Sequence, residues 1–186
     1  MTAQLDHLAV RFDGLAYRAH HPRWAYLPTS GEGAERHGGR FNRKGQSALY
    51  TSLDLTTAWL EAQQGFPFKA QPMTLVAYQV HCERIADLTH LGRLASASID
   101  PADLGCPWED LASRGLQPAT WRITDALLTA DFQGALVPSF APALNPAPTE
   151  APRRNLVLWT WASAAPCSVQ VIDDFGRLPK DAASWA

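Results

Sequence analysis

Apolar and polar positions alternate most clearly in MTLVAYQVHCERIADLT (73–89), where Val76, Tyr78 and Val80 share one side of an extended chain. That period predicts one long strand or a pair of strands. GLAYRAH (14–20) predicts a first strand, with Tyr17 and Arg18 near its end. SALYTSL (47–53) and GALVPSF (134–140) predict short buried strands, the second ended by Pro138. NLVLWTW (155–161) is almost wholly apolar and predicts another, and CSVQVIDD (167–174) predicts the last. The period changes in LTTAWLEAQ (55–63), which predicts a helix capped by Asp54 and bracketed at its exit by Pro67 and Pro72. Two more helices are predicted within 100–131. One starts at Asp100-Pro101, and the other places Trp121, Ala126, Leu127 and Ala130 at helical spacing. Residues 28–46, PTSGEGAERHGGRFNRKGQ, have no apolar period and read as a long loop. Long loops inside compact domains more often carry function than not. Strands and helices mix without a βαβ repeat. The expected class is therefore α+β, a mixed or antiparallel sheet arrangement with flanking helices.

Length and composition narrow this reading. The 186 residues make one ordinary domain, expected over 1–186 with its core at about 14–175. No internal repeat is present. Charged residues are 18% and the net charge is −2. No basic excess exists to neutralise a phosphate backbone, so direct nucleic-acid binding is not expected. No apolar run is long enough to span a membrane, and the acidic N-terminus lacks a signal-peptide core. Cys82, Cys106 and Cys167 are odd in number and widely spaced, which fits a reducing cytoplasm and no zinc knuckle.

Some polar residues sit where a core would not want them. Arg18 lies in an apolar strand, GGRFN (38–42) precedes Tyr50 and Ser52, and Ser139 and Asn155 flank a Pro/Ala-rich segment at 141–154. Glu61 falls between Leu60 and Ala62 on the predicted helix. Arginine forks suit phosphates. Paired glycines let backbone approach a ligand, and a tyrosine face packs on a planar ring. Together these types suit an anionic, ring-bearing ligand such as a nucleotide. Each residue also has an ordinary reading. Arg18 could face solvent, GGRFN could be a turn, Glu61 a solvated charge, Ser139 a turn residue and Tyr50 a core aromatic. There is no P-loop, and GEGAERHGG is not a dinucleotide fingerprint after a strand. His20 and His21 are adjacent, so on a strand they point to opposite faces, and neither they nor His37 have ligands at metal spacing.

GGRFNRKGQSALYTSLDLTTAWLE (38–61) resembles the signature of the RES-domain family, named for an arginine, a glutamate and a serine. Arg40, Glu61 and Ser139 match those three. YRAHHPRWA (17–25) resembles the family's first arginine strand, and GALVPS with NLVLWTW resembles its closing segments. The likeness runs from about Tyr17 to Trp161, with 141–154 an insert-like departure.

The resemblance implies a fold like that of mono-ADP-ribosyltransferases, and the toxin of a bacterial toxin–antitoxin pair. It implies NAD as co-substrate, no metal, and a cytoplasmic enzyme that degrades NAD by hydrolysis or phosphorolysis or transfers ADP-ribose to a protein target. It also implies a helix-turn-helix antitoxin covering the active site. The alternative of another class is a non-catalytic nucleotide- or partner-binding module. On the enzyme reading, Glu61, Arg40, Ser139 and Tyr50 are the expected catalytic residues. Arg18, Arg40, Phe41, Asn42, Tyr50, Ser52 and Asn155 are expected to bind NAD. Arg23, Arg43, Lys44 and Arg154 are available to a phosphate acceptor, and 141–154 to a protein acceptor.

Overall fold

Two long strands organise the chain. In the computed structural model, which describes residues 5–63, 72–141 and 152–185, β1 (Ala9–His20) runs antiparallel to β3 (Thr74–Asp87). Their register extends from Ala9 opposite Ala86 to His20 opposite Thr74. The other side of β3 is shared. β6 (Cys167–Val171) pairs antiparallel with its middle, and β4 (Gly134–Pro138) pairs parallel with its end. β5 (Arg154–Leu158) then joins β4 to β2 (Leu49–Ser52), and β2 meets β1 at Tyr17 opposite Ser52. The strand order β1-β2-β5-β4-β3-β6, with β1 also on β3, curls the sheet back on itself. The ends of β1, β2 and β5 are thereby neighbours.

Alternate residues of the sheet feed two cores. Leu49, Tyr78, Val80, Ile85, Leu156 and Leu158 fill one. Ala135, Val137, Val157 and Trp159 face the other, with Leu88, Leu94, Leu127 and Phe132 from the helical side. β4 and β5 are buried on both faces, which is why they read as unbroken apolar runs. Each such side chain contributes ~1.5–3 kcal/mol on burial.

The helices are α1 (Glu32–His37), α2 (Leu55–Ala62), α3 (Leu91–Ser96), α4 (Pro101–Leu104), α5 (Trp108–Ser113) and α6 (Ala119–Thr129). The predicted cap of α2 is present: Asp54 Oδ1 accepts from the Thr57 amide at 2.7 Å. α2 buries Thr57, Ala58 and Leu60 and leaves Glu61 half-buried. Asp100 caps α4 by accepting from the Ala102 amide.

The mixed α and β architecture is as expected, and several boundaries differ. β1 begins at Ala9, because the antiparallel partner β3 extends to Asp87 and recruits the polar start of the run. The 28–46 segment contains α1, a short helix without an apolar stripe. The region 100–131 holds three short helices rather than two. β5 ends at Leu158. The wide spacing of the cysteines, read as fitting a reducing cytoplasm, does not keep them apart: Cys82 and Cys167 face each other across β3 and β6 and are bonded as a disulfide. Their sequence separation of 85 hid this cross-strand register. Cys106 is free. Residues 142–151, most of the proposed acceptor-docking segment, and Pro67 lie outside the described residues. Among the described residues no helix is long and apolar enough to cross a membrane.

Candidate active site

Where β1, β2 and β5 converge, a cavity of about 430 Å³ opens. Arg18, Arg40, Phe41, Tyr50, Ser52, Glu61 and Asn155 all line it. These residues come from two strand ends, a glycine-rich turn, a helix and a further strand. The curled sheet brings them together.

Glu61 sits at a junction. Its Oε1 accepts from Ser139 Oγ and from Asn155 Nδ2, each at 2.6 Å. Asn155 is held in turn, since its Oδ1 accepts from Ser52 Oγ at 2.7 Å. A carboxylate oxygen that accepts two such donors is fixed in direction. Ser139 therefore touches the glutamate rather than standing apart as a turn residue.

Two guanidiniums face the same space. Arg18 Nη1 donates to the Ser30 carbonyl at 2.9 Å. Arg40 Nη1 donates to the Cys106 carbonyl at 2.6 Å, and the Arg40 guanidinium lies 4.6 Å over the Phe140 ring. Burial lowers the pKa of both. Among the described residues neither has a carboxylate within ion-pair distance. A desolvated cation with no carboxylate at ion-pair distance favours an anionic guest.

Tyr50 lines the cavity, and its hydroxyl is tied to the glycine-rich turn. The hydroxyl donates to Asn42 Oδ1 at 2.8 Å and accepts from the Phe41 amide at 2.9 Å. Burial pushes its pKa well above the ordinary value, so the phenol stays protonated. Asn42 is fully buried and does not line the cavity. Its Nδ2 reaches the carbonyls of Ala34, Arg43 and Gln46. Its observed contacts brace the turn, which differs from the expected binding role. Gly39 completes the brace: a Cβ there would lie 2.5 Å from Tyr50 Oη. Phe41 is 3% exposed, so it offers the cavity only a small area of wall.

His20 is buried and its Nε2 lies 2.9 Å from the Tyr78 hydroxyl. That hydroxyl donates to the Pro28 carbonyl, so the imidazole must donate to it. Burial, and then the charge of Arg18, push His20 down to about 3. Among the described residues no cluster of three metal-ligating side chains occurs. Arg43, counted as a spare cation, is ion-paired with Asp125.

Sequence reasoning missed Phe140 and Trp108 as cavity walls. Phe140 directly follows Ser139 and could have been tied to it. Trp108 opens α5 with no periodic signal.

The sequence matches the RES domain family over residues 15–181. No curated protein matches it. Among solved structures, it resembles a chain of the M. tuberculosis MbcT–MbcA toxin–antitoxin complex. The TM-score is 0.63 at 19% identity, covering 92% of this chain and 88% of that one. At that identity the likeness speaks for the fold alone, whereas the family match spans nearly the whole chain and includes Arg40 and Glu61. The chain belongs to the RES domain family.

Proposed function

We propose that this chain is the toxin of a toxin–antitoxin pair and that it breaks the bond between nicotinamide and ribose in NAD. The observation that carries this reading is the placement of Glu61 in one cavity with Arg18 and Arg40, two desolvated cations lacking carboxylate partners among the described residues.

The chemistry needs little acid catalysis. The C1′–N bond breaks with its electron pair moving to the pyridinium nitrogen, so nicotinamide leaves neutral. Positive charge grows on the ribose, as in other glycosyl transfers. Glu61, aimed by Ser139 and Asn155, faces that charge and stabilises it. Arg18 and Arg40 hold the pyrophosphate, and the Tyr50 ring packs on the nicotinamide. Asn155 and Ser52 act through Glu61. An acceptor oxygen then bonds C1′ and gives up its proton. Water or inorganic phosphate is the acceptor we favour, giving free NAD breakdown. A protein side chain would give ADP-ribosyl transfer.

The resemblance and the toxin–antitoxin neighbour support a helix-turn-helix antitoxin lying over the cavity. They also carry the cytoplasmic reading, because the Cys82–Cys167 bond removes the argument from cysteine spacing.

The deciding experiment is mass spectrometry of NAD incubated with purified chain, with and without phosphate. Nicotinamide release is expected, abolished in Glu61→Gln. ADP-ribose marks hydrolysis, a phosphorylated ADP-ribose marks phosphorolysis, and a mass gain on a protein marks transfer. Intact NAD, or full activity in folded Glu61→Gln, overturns the proposal. Intact NAD would leave the non-catalytic module standing.

A further inference from the structure

A second recess, about 410 Å³, adjoins the first. Arg18, Ala19 and Gly33 line both. The two therefore meet at one buried guanidinium. Each falls in the ~300–1,000 Å³ range of small-molecule sites.

The second recess has a different chemistry from the first. Trp24 and Tyr26 supply aromatic surface to its wall. Trp24 is 55% exposed, and Arg23 lies 5.3 Å from its ring centroid. The indole is thus offered to solvent beside a cation. From α1, Arg36 and His37 also line the recess, and Glu32 pairs with Arg36. The segment that forms this wall is anchored to the sheet at two carbonyls. Pro28 accepts from Tyr78 and Ser30 accepts from Arg18. It is a built recess rather than a gap between loops.

Glu32 lines the recess too and offsets Arg36, so the cation that a guest meets is Arg18 at the shared wall. An open indole beside such a guanidinium suits a planar heteroaromatic base that carries phosphate. A dinucleotide consists of two ring systems joined by a charged bridge. Here two recesses are joined at a cation. We propose that the second recess receives the adenosine half of NAD, with Trp24 stacking on the base. Arg18 then meets the pyrophosphate at the shared wall, and the nicotinamide riboside reaches Glu61. This rests on the NAD reading above and adds that the 20–37 segment selects the dinucleotide over its nicotinamide half.

The test compares NAD with nicotinamide mononucleotide, which lacks the adenylate. Wild type prefers NAD in kcat/KM. Trp24→Ala raises the KM for NAD on the order of tenfold or more, as loss of base–aromatic stacking does, while kcat moves little. The preference for NAD over the mononucleotide collapses by the same factor, and Trp24→Phe restores most of it. Arg36→Glu, on the exposed side of α1, is a second variant and lowers kcat/KM for NAD more than for the mononucleotide. Equal loss on both substrates, or an unchanged KM for NAD in folded Trp24→Ala, overturns the assignment. If wild type releases nicotinamide from neither substrate, the NAD reading fails by itself. Calorimetric titration with AMP then decides the recess. Binding weakened at least tenfold in Trp24→Ala supports it, whereas no AMP binding, or equal binding to both, overturns it.

Discussion

Asn155 Nδ2 stands 2.6 Å from Glu61 Oε1, joining β5 to a helix that lies 94 residues earlier in the chain. The amide cannot turn over without loss, because its Oδ1 already accepts from Ser52 at 2.7 Å. The donor end is therefore committed to the carboxylate. Asn155 and Ser52 should behave as positioning residues. Asn155→Ala is expected to lower kcat for nicotinamide release by about 10- to 100-fold with KM little changed, since a misplacement of ~1 Å can cost ~10²-fold. Ser52→Ala should cost less, and almost nothing further when added to Asn155→Ala, because both act through one bond. Additive losses in that double-mutant cycle would refute the relay.

Tyr50→Phe separates the ring from the hydroxyl. The ring stays on the cavity wall, while the Phe41 amide and Asn42 Oδ1 lose their shared partner. Stranding buried polar groups costs ~1–3 kcal/mol. At ~2–4 °C per kcal/mol for a domain of this size, the thermal midpoint should fall by roughly 2–12 °C. Binding of NAD to the folded variant should change less than stability does. Calorimetry of melting and of ligand titration on the same sample checks both.

Much of this arrangement is legible in the residues themselves. Strand periods located β3, β4 and β5 because burial on one or both faces leaves a direct imprint on residue type. Asp54 announced α2, and Glu61 was conspicuous as a lone acid among Trp59, Leu60 and Ala62. The pairing of partners was not legible. Nothing local links Ser139 to Glu61, or Cys82 to Cys167, since both contacts depend on which strands become neighbours across the curled sheet. The contacts of Asn42 are hidden for the opposite reason. A polar residue in a glycine-rich turn suggests a ligand contact, yet the carbonyls of Arg43 and Gln46 in its own turn, and of Ala34 in α1, claim the amide.

Glycine substitutions should separate close approach from mere looseness. At Gly39 a Cβ would meet Tyr50 Oη at 2.5 Å and Asn42 Oδ1 at 2.7 Å, both fixed by hydrogen bonds. Gly39→Ala should therefore shift the turn that carries Arg40, lowering both stability and turnover. At Gly33, inside α1, a Cβ would meet nothing within 4 Å. Gly33→Ala should be neutral or stabilising by about 0.4–1 kcal/mol, through the unfolded chain and helix propensity. Chemical denaturation of the two variants should move in opposite directions from wild type. A neutral Gly39→Ala would mean that the turn tolerates displacement.

The stability of the fold should carry a histidine signature in acid. His20 is held down to about 3 by burial and by Arg18, whereas in the unfolded chain it titrates near 6.5. Above pH 6.5 the imidazole is neutral in both states, and its contribution to stability is fully present. As pH falls from 6.5 toward 3, the unfolded chain takes up a proton that the folded one refuses. Stability then declines by about 1.4 kcal/mol per pH unit from this group alone. His20→Gln keeps a donor for the Tyr78 hydroxyl and removes the titration. Urea unfolding from pH 8 to pH 4 should give a wild-type-minus-variant difference that is flat at the alkaline end and turns against wild type below about pH 6. Other acid-sensitive groups cancel in that difference, so parallel curves through the whole range would show that His20 accepts its proton inside the fold.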